Sequence, residues 1–136
     1  MEITVIVILA IIGLAILLAF FVMIKSSKSG LTQDHQKYLK KHWNKIIEEV
    51  DSQPNLAIME ADKLLGYTLK ARGVEGSVGE QLKAAPSLFS DLNGIWSAHK
   101  LRNEIAHEIG KEISAKQAKS NLNIFKKALK DLGAKL

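Results

Sequence analysis

Three side chains near the end of one helical segment, Arg102, Asn103 and His107, are of types suited to holding a phosphate and moving a proton. A guanidinium offers a planar fork of donors that matches a phosphate or a carboxylate. An imidazole ordinarily titrates near about 6.5, so it can give or take a proton at neutral pH. With Arg102 set at 0° on a helix of 3.6 residues per turn, Asn103 falls near about 100° and His107 near about 140°. His99 lies between them near about 60°, on the face that also carries Leu88, Leu92, Ile95, Trp96 and Ala106. Ala98, Leu101 and Ile105 widen the apolar arc on the other side, and Lys100, Glu104 and Glu108 mark the wet face. The three polar residues therefore sit inside, or at the edge of, the arc that protein should cover. A covered arginine must meet a carboxylate, a phosphate or a polar cleft. One outcome is structural: a salt bridge for Arg102, a helix-to-helix hydrogen bond for Asn103, and His107 at the helix C-terminus, where the dipole favours a cation. The other is a site, with His99 one turn away as its support. An arc this wide also suggests a helix covered from two sides, by its own bundle and by a second subunit.

The elements that must position these groups are legible in the hydrophobic pattern. The segment carrying them is expected to be a helix over residues 87–108. A helix over residues 32–51 is indicated by Leu39, Trp43, Ile46, Ile47 and Val50, and one over 55–72 by Ile58, Ala61, Leu65 and Leu69, with Gly73 as its C-terminal cap. A last helix opens at Ser114 and closes at Gly133, with Ala115, Ala118, Leu122, Phe125, Leu129 and Leu132 in 3-4 alternation. Residues 73–86 read as a connector that includes one helical turn through Gln81 and Leu82. Its glycines, Gly73, Gly76 and Gly79, are not a dinucleotide fingerprint, because no strand precedes them and the spacing is wrong. Gly94, inside the third of these helices, suggests a close helix–helix approach.

The composition divides the chain. Residues 1–24 hold 21 apolar positions and one charge, Glu2, whereas the other 112 residues carry all 19 Lys and Arg against 13 acids. From residue 3 to 24 the one polar side chain is Thr4, and at 1.5 Å per residue such a helix reaches roughly 33 Å, enough for a hydrocarbon core of about 30 Å. The acidic start and the bulky end of the run oppose a cleaved signal peptide. Lys25 and Lys28 follow directly, which places the C-terminal part in the cytoplasm. Gly13 has no partner four residues away, so a GxxxG pairing face is not available. The expected organisation is a single transmembrane anchor (1–24), a linker (25–31) and a helical domain (32–136): an all-α chain with a cytosolic antiparallel four- to five-helix bundle. The absence of cysteine excludes a disulfide scaffold and a thiolate metal centre, and the length excludes a multi-domain enzyme. His35 and His42 are seven apart, not the four that would clamp a metal on one face, so no metal or cofactor is expected.

The segment Leu101-Arg102-Asn103-Glu104-Ile105-Ala106-His107 resembles the signature of the HEPN superfamily: an arginine, four to six residues, then a histidine, with asparagine often following the arginine. Two amphipathic helices before it, a turn at Gly110 after it, and a helix opening Ser114-Ala115-Lys116-Gln117-Ala118 are also similar to that family. The resemblance implies a helical bundle that forms a homodimer with two motif helices facing each other, and a metal-independent endoribonuclease of the toxin or defence type. Within it, His107 would take the proton of a ribose 2′-hydroxyl, Arg102 would hold the scissile phosphate, and Asn103 would orient the group. Other members bind nucleotides or RNA, or act as scaffolds, so a noncatalytic interaction bundle with an unidentified protein partner is the alternative.

Residues 109–136 contain seven Lys against two acids. Lys116, Lys119, Lys126, Lys127 and Lys130 ring the outer surface of the last helix. They can meet solvent, an RNA backbone or anionic lipid beside the anchor. No aromatic residue interleaves with them, which argues against base stacking on that face.

Overall fold

The computed structural model describes residues 1–27 and 30–136, with side chains described for 1–21 and 30–136. Lys28 and Ser29, and the side chains of the basic flank and most of the linker, lie outside the described residues. Among the described residues the chain is all-helical, with six α-helices and no strand: α1 (Glu2–Ser27), α2 (Gln33–Glu49), α3 (Pro54–Ala71), α4 (Val78–Ala84), α5 (Leu92–His107) and α6 (Ala115–Asp131). A 3-10 turn, Pro86–Leu88, precedes α5. Two units result, Met1–Gly30 and Leu31–Leu136.

The first unit is α1. Its stretch Glu2–Phe21 is long and apolar enough to cross a membrane, and none of it is buried against protein. The helix continues through Lys25 to Ser27, so the first three residues of the expected linker are helical.

In the second unit α3 is central and packs against α2, α4, α5 and α6, with α5 also on α6. That position explains why α3 is buried on so broad a face: Ala57, Ile58, Ala61, Leu64, Leu65 and Leu69 are all covered, and so are Asp62 and Thr68. The Thr68 hydroxyl disposes of its hydrogen-bonding need by donating to the Leu64 carbonyl (2.7 Å). The stripe of α6 enters the same core, with Phe125, Leu129 and Leu132 fully buried.

Local chemistry sets the helix ends. Thr32 caps α2 and Ser114 caps α6, each hydroxyl accepting from the backbone N–H three residues on (3.2 and 3.1 Å). Gly73 and Gly133 take positive φ (83° and 100°), and the following N–H groups return to the Leu69 and Leu129 carbonyls.

Two expectations from the sequence are corrected here. The connector holds more than the single helical turn expected at Gln81 and Leu82, because Ser77 and Glu80 form a reciprocal capping box that starts the seven-residue α4 at Val78 and buries both side chains. The motif helix is 16 residues, not 22. Pro86 starts the 3-10 turn, Phe89 is extended with its ring buried, and the Asp91 carboxylate accepts from Gly94 N–H (3.0 Å), so the helix begins at Leu92 and Leu88 is not on it. The same cap explains Gly94: a Cβ there would overlap the Asp91 carboxylate, so the glycine serves a cap and not a helix–helix approach.

Glu80 gives α4 a pH dependence. Hydrogen bonds from the Ser77 backbone and hydroxyl hold its carboxyl below the ordinary carboxylate range. A lowered folded value adds stability that is present above the unfolded value and lost as pH falls through the folded one. The protection of the Gln81 and Leu82 amides, exchange rate taken relative to the intrinsic rate at each pH, is therefore expected to fall on acidification through the carboxylate range, and Glu80→Gln is expected to remove most of that step. Protection that is flat across that range would refute the cap's contribution.

Candidate functional site

The polar residues of α5 meet one another through a carboxylate from α3. Asp62 Oδ1 lies 2.8 Å from His99 Nδ1, and Asp62 Oδ2 lies 3.5 Å from Arg102 Nε. Arg102 Nη1 donates to Asn103 Oδ1 (3.0 Å), and Asn103 Nδ2 lies 3.3 Å from His99 Nε2. The four side chains close a ring. Asp62 is 2% exposed, His99 12% and Arg102 27%, so the charge at the bottom of the ring is taken from water while its guanidinium reaches the surface.

Donor and acceptor counting favours one arrangement of protons. Arginine only donates, so the asparagine atom facing it is the oxygen, and its NH2 must face His99. That NH2 donates, so His99 Nε2 accepts and carries no proton. Nδ1 carries it instead and donates to the carboxylate, which only accepts. This arrangement suits the Nδ1–H tautomer, since a proton on Nε2 would set two donors face to face. Long-range 1H–15N spectra of the side chain are expected to show Nδ1 protonated and Nε2 bare. A spectrum of the Nε2–H tautomer, or of the doubly protonated ring, would break this assignment. The weakest link is Arg102 Nε, which is buried beside Asp62 without a well-aligned hydrogen bond.

His107 stands apart. It is the last residue of α5 and exposed, and no hydrogen bond or ion pair joins it to the ring among the described residues. Asn55 staples the loop that follows, donating to the Lys111 carbonyl (2.7 Å) and accepting from Ile113 N–H (3.0 Å). Glu104 is not free on a wet face: it is half-buried and pairs with Lys111 (3.2 Å). Of the α6 lysines, Lys116, Lys127 and Lys130 are exposed, Lys126 is half-buried, and Lys119 pairs with Asp51 (2.6 Å).

The ring opens on a cleft of about 580 Å³ between α4 and α5. Gly79 and Lys83 line it from α4, and Trp96, His99, Lys100 and Asn103 from α5. No carboxylate lines it, so its mouth is positive. A second groove, between α2 and α3, differs in charge, because Glu49 and Glu60 line it beside Lys45 and Lys63. There Tyr38 stacks on Tyr67 (centroids 4.3 Å apart) and lies against His42 (4.1 Å), while His35 meets Tyr67 edge-on. Burial, then Tyr38 and Asp34, push the Tyr67 phenol up. Both histidines of α2 are thus engaged by aromatic rings. Among the described residues no group of three or more His, Cys, Asp or Glu is placed to hold a metal.

Asp62 is the site residue that the sequence pattern passes over. Its signal is an acid between Ala61 and Leu65 on the covered face of α3, four residues after Ile58. Compared with known proteins, no protein-family model, no curated protein and no solved structure matches the chain.

Proposed function

We propose that this protein is a membrane-anchored HEPN-like domain that acts on RNA. In this reading α1 crosses the membrane, the basic flank of Lys25 and Lys28 holds its C-terminal end on the cytoplasmic side, and residues 31–136 form an antiparallel bundle. The observation that carries it is the polar face of α5: Arg102 and Asn103, the first two motif residues, are bonded to each other, Asn103 meets His99, and Arg102 and His99 share the buried carboxylate of Asp62. A carboxylate taken from water costs several kcal/mol to desolvate, and an apolar replacement of similar volume is often neutral or stabilising, so stability alone does not explain keeping the network.

Cleavage would run without a metal. The ribose 2′-oxygen attacks phosphorus as His107 takes its proton, a P–O2′ bond forms, the P–O5′ bond breaks, and the departing 5′-oxygen is protonated. Arg102 holds the phosphate oxygens that gain charge, and Asn103 orients them. One chain supplies one imidazole of the motif, so separate base and acid come from a homodimer with two α5 helices facing each other. The exposed Lys116, Lys127 and Lys130 add positive potential toward RNA or anionic lipid.

A second reading is a noncatalytic, membrane-held interaction or RNA-binding bundle. It is favoured by the pairing of Arg102 with Asp62 and by the exposed position of His107. The full chain in detergent micelles, incubated with single-stranded RNA and a chelator, separates the two. Products ending in a 2′,3′-cyclic phosphate support cleavage; RNA retained but uncut favours the second reading; neither binding nor cleavage removes RNA from the account.

A further inference from the structure

The side chain of Gln36 ties the start of α2 to the end of α6: Nε2 donates to the Gly133 carbonyl (2.8 Å) and Oε1 accepts from Lys135 N–H (2.9 Å). At the other end of the same two helices Lys119 pairs with Asp51 (2.6 Å), and Ile47 and Asp51 share a groove with Leu122 and Asn123. The two helices therefore run antiparallel. Gln36, Lys40, Asn44, Ile47 and Asp51 recur every three or four residues along α2, as Lys119, Asn123, Lys126 and Lys130 do along α6, so the two stripes form one face. Its halves differ in charge. No acid stands between Asp34 and Glu48, nor between Ser114 and Asp131. The acids gather at the far half, where Asp51 and Glu49 are paired with Lys119 and Lys45. At the near half Asp131 is engaged by the Ser90 N–H and hydroxyl (both 2.8 Å). Lys37, Lys40, Lys127, Lys130 and Lys135 are exposed, and none of them forms an ion pair among the described residues.

We propose that this basic half of the α2–α6 face is a docking surface for the anionic headgroups of the bilayer that α1 crosses. Two observations favour a bilayer over other polyanions. The Gln36 end is where the chain enters the unit, because Leu31 packs on the core beside it and stands four peptide steps after Ser27, the last residue of α1. A tether of at most about 15 Å brings this end to the headgroup layer at high effective concentration. The face also exposes no aromatic ring on which a base could stack: Trp43 and Phe125 are buried, and Tyr38 lies on Tyr67 of α3. The potential of an anionic leaflet falls off within a Debye length, about 8 Å at physiological salt, so the lysines act together only when the face lies flat on the headgroups. Docked in this way, α4, which packs on α3 and α5, is on the side turned to the cytoplasm. The proposal rests on the membrane-anchor reading of α1 and not on the RNA reading.

The chain has no cysteine, so single cysteines can carry a bimane label in the full chain, held in lipid nanodiscs. The labelled positions are Asn44→Cys on the face, Ala84→Cys on α4 and Ala15→Cys in α1. Nitroxide on the lipid headgroups quenches a label that comes close to the surface. With about a third phosphatidylglycerol in the discs, quenching at Asn44→Cys is expected to exceed that at Ala84→Cys at least about threefold. In pure phosphatidylcholine, or at about 1 M salt, where the screening length is about 3 Å, the excess is expected to vanish. The triple variant Lys40→Gln, Lys127→Gln, Lys130→Gln is expected to remove most of the excess at an unchanged urea midpoint. Lys83→Gln with Lys100→Gln, two exposed lysines off the face, is expected to leave it. Equal quenching of the two labels in anionic discs overturns the proposal. So does an excess that survives the triple variant, or one that falls as far with the α4–α5 pair, which would reduce it to net charge. If a hexa-uridylate RNA shields the Asn44→Cys label and no lipid-dependent excess is seen, the face belongs to RNA and the docking falls. Ala15→Cys reports on the anchor separately. Acyl-chain nitroxide that fails to quench it overturns the membrane reading of α1 and the docking with it, whereas a quenched Ala15→Cys beside an unquenched Asn44→Cys overturns the docking alone.

Discussion

Replacing Asp62 by alanine is expected to lower the unfolding free energy of the Leu31–Leu136 unit by about 3 kcal/mol, read in urea melts at unchanged slope. Tryptophan emission reports on that unit alone, because both tryptophans, Trp43 and Trp96, lie in it. The carboxylate is 2% exposed and serves two partners, accepting from His99 Nδ1–H and facing Arg102 Nε. Alanine leaves the imidazole N–H without an acceptor and the guanidinium without a counter-charge. Breaking a buried charge pair from one side costs about 3–5 kcal/mol. The low end applies here because Arg102 is 27% exposed and can turn part of its guanidinium to water. Asp62→Asn should cost less, since an amide oxygen still accepts from His99 while the charge opposite Arg102 is gone. A loss below about 1 kcal/mol for the alanine variant would mean that water already satisfies the network, and the ring would not be a buried device.

The parts of this fold legible in the sequence are those whose information is local. The α6 stripe from Ala118 to Leu132, the Thr32 and Ser114 caps and the glycines at 73 and 133 each follow from periodicity or from one side chain reaching three residues along its own chain. The capping box of α4 was equally local, Ser77 and Glu80 three apart, but the glycines around it mask a helix of two turns. The start of α5 was misplaced because residues 87–91 continue its apolar pattern; the Asp91 cap and the extended Phe89 decide it. The site was half legible. A wheel placed Arg102 and Asn103 on a covered face and put His99 beside them, and the structure groups these three. It could not supply Asp62, because which acid on another helix faces α5 depends on how α3 and α5 cross.

In the proposed cleavage, His107→Ala is expected to slow the reaction by about 10²–10⁴-fold, the range for removing a general acid or base, equivalent to about 2.7–5.5 kcal/mol of barrier. Its folding should be little affected, because the side chain is exposed and joined to nothing in the ring. That makes it a cleaner variant than Arg102→Ala, which would strand Asp62 and confuse loss of fold with loss of function. Arg102→Lys is the better probe of the arginine: it keeps a positive charge near Asp62 but loses the planar fork that grips two phosphate oxygens. Activity falling with Arg102→Lys while the urea midpoint holds would assign the guanidinium to the phosphate and not to Asp62 alone. The pH–rate profile adds a readout that a structural role would not move, since removal of the base deletes one limb of the profile. An unchanged rate in His107→Ala takes this imidazole out of the chemistry. If the rate is instead lost in His99→Asn, the proton-handling group is the ring already oriented by Asp62. The reaction would then be centred on the α4–α5 cleft, with one oriented imidazole per chain already in place before any second subunit arrives.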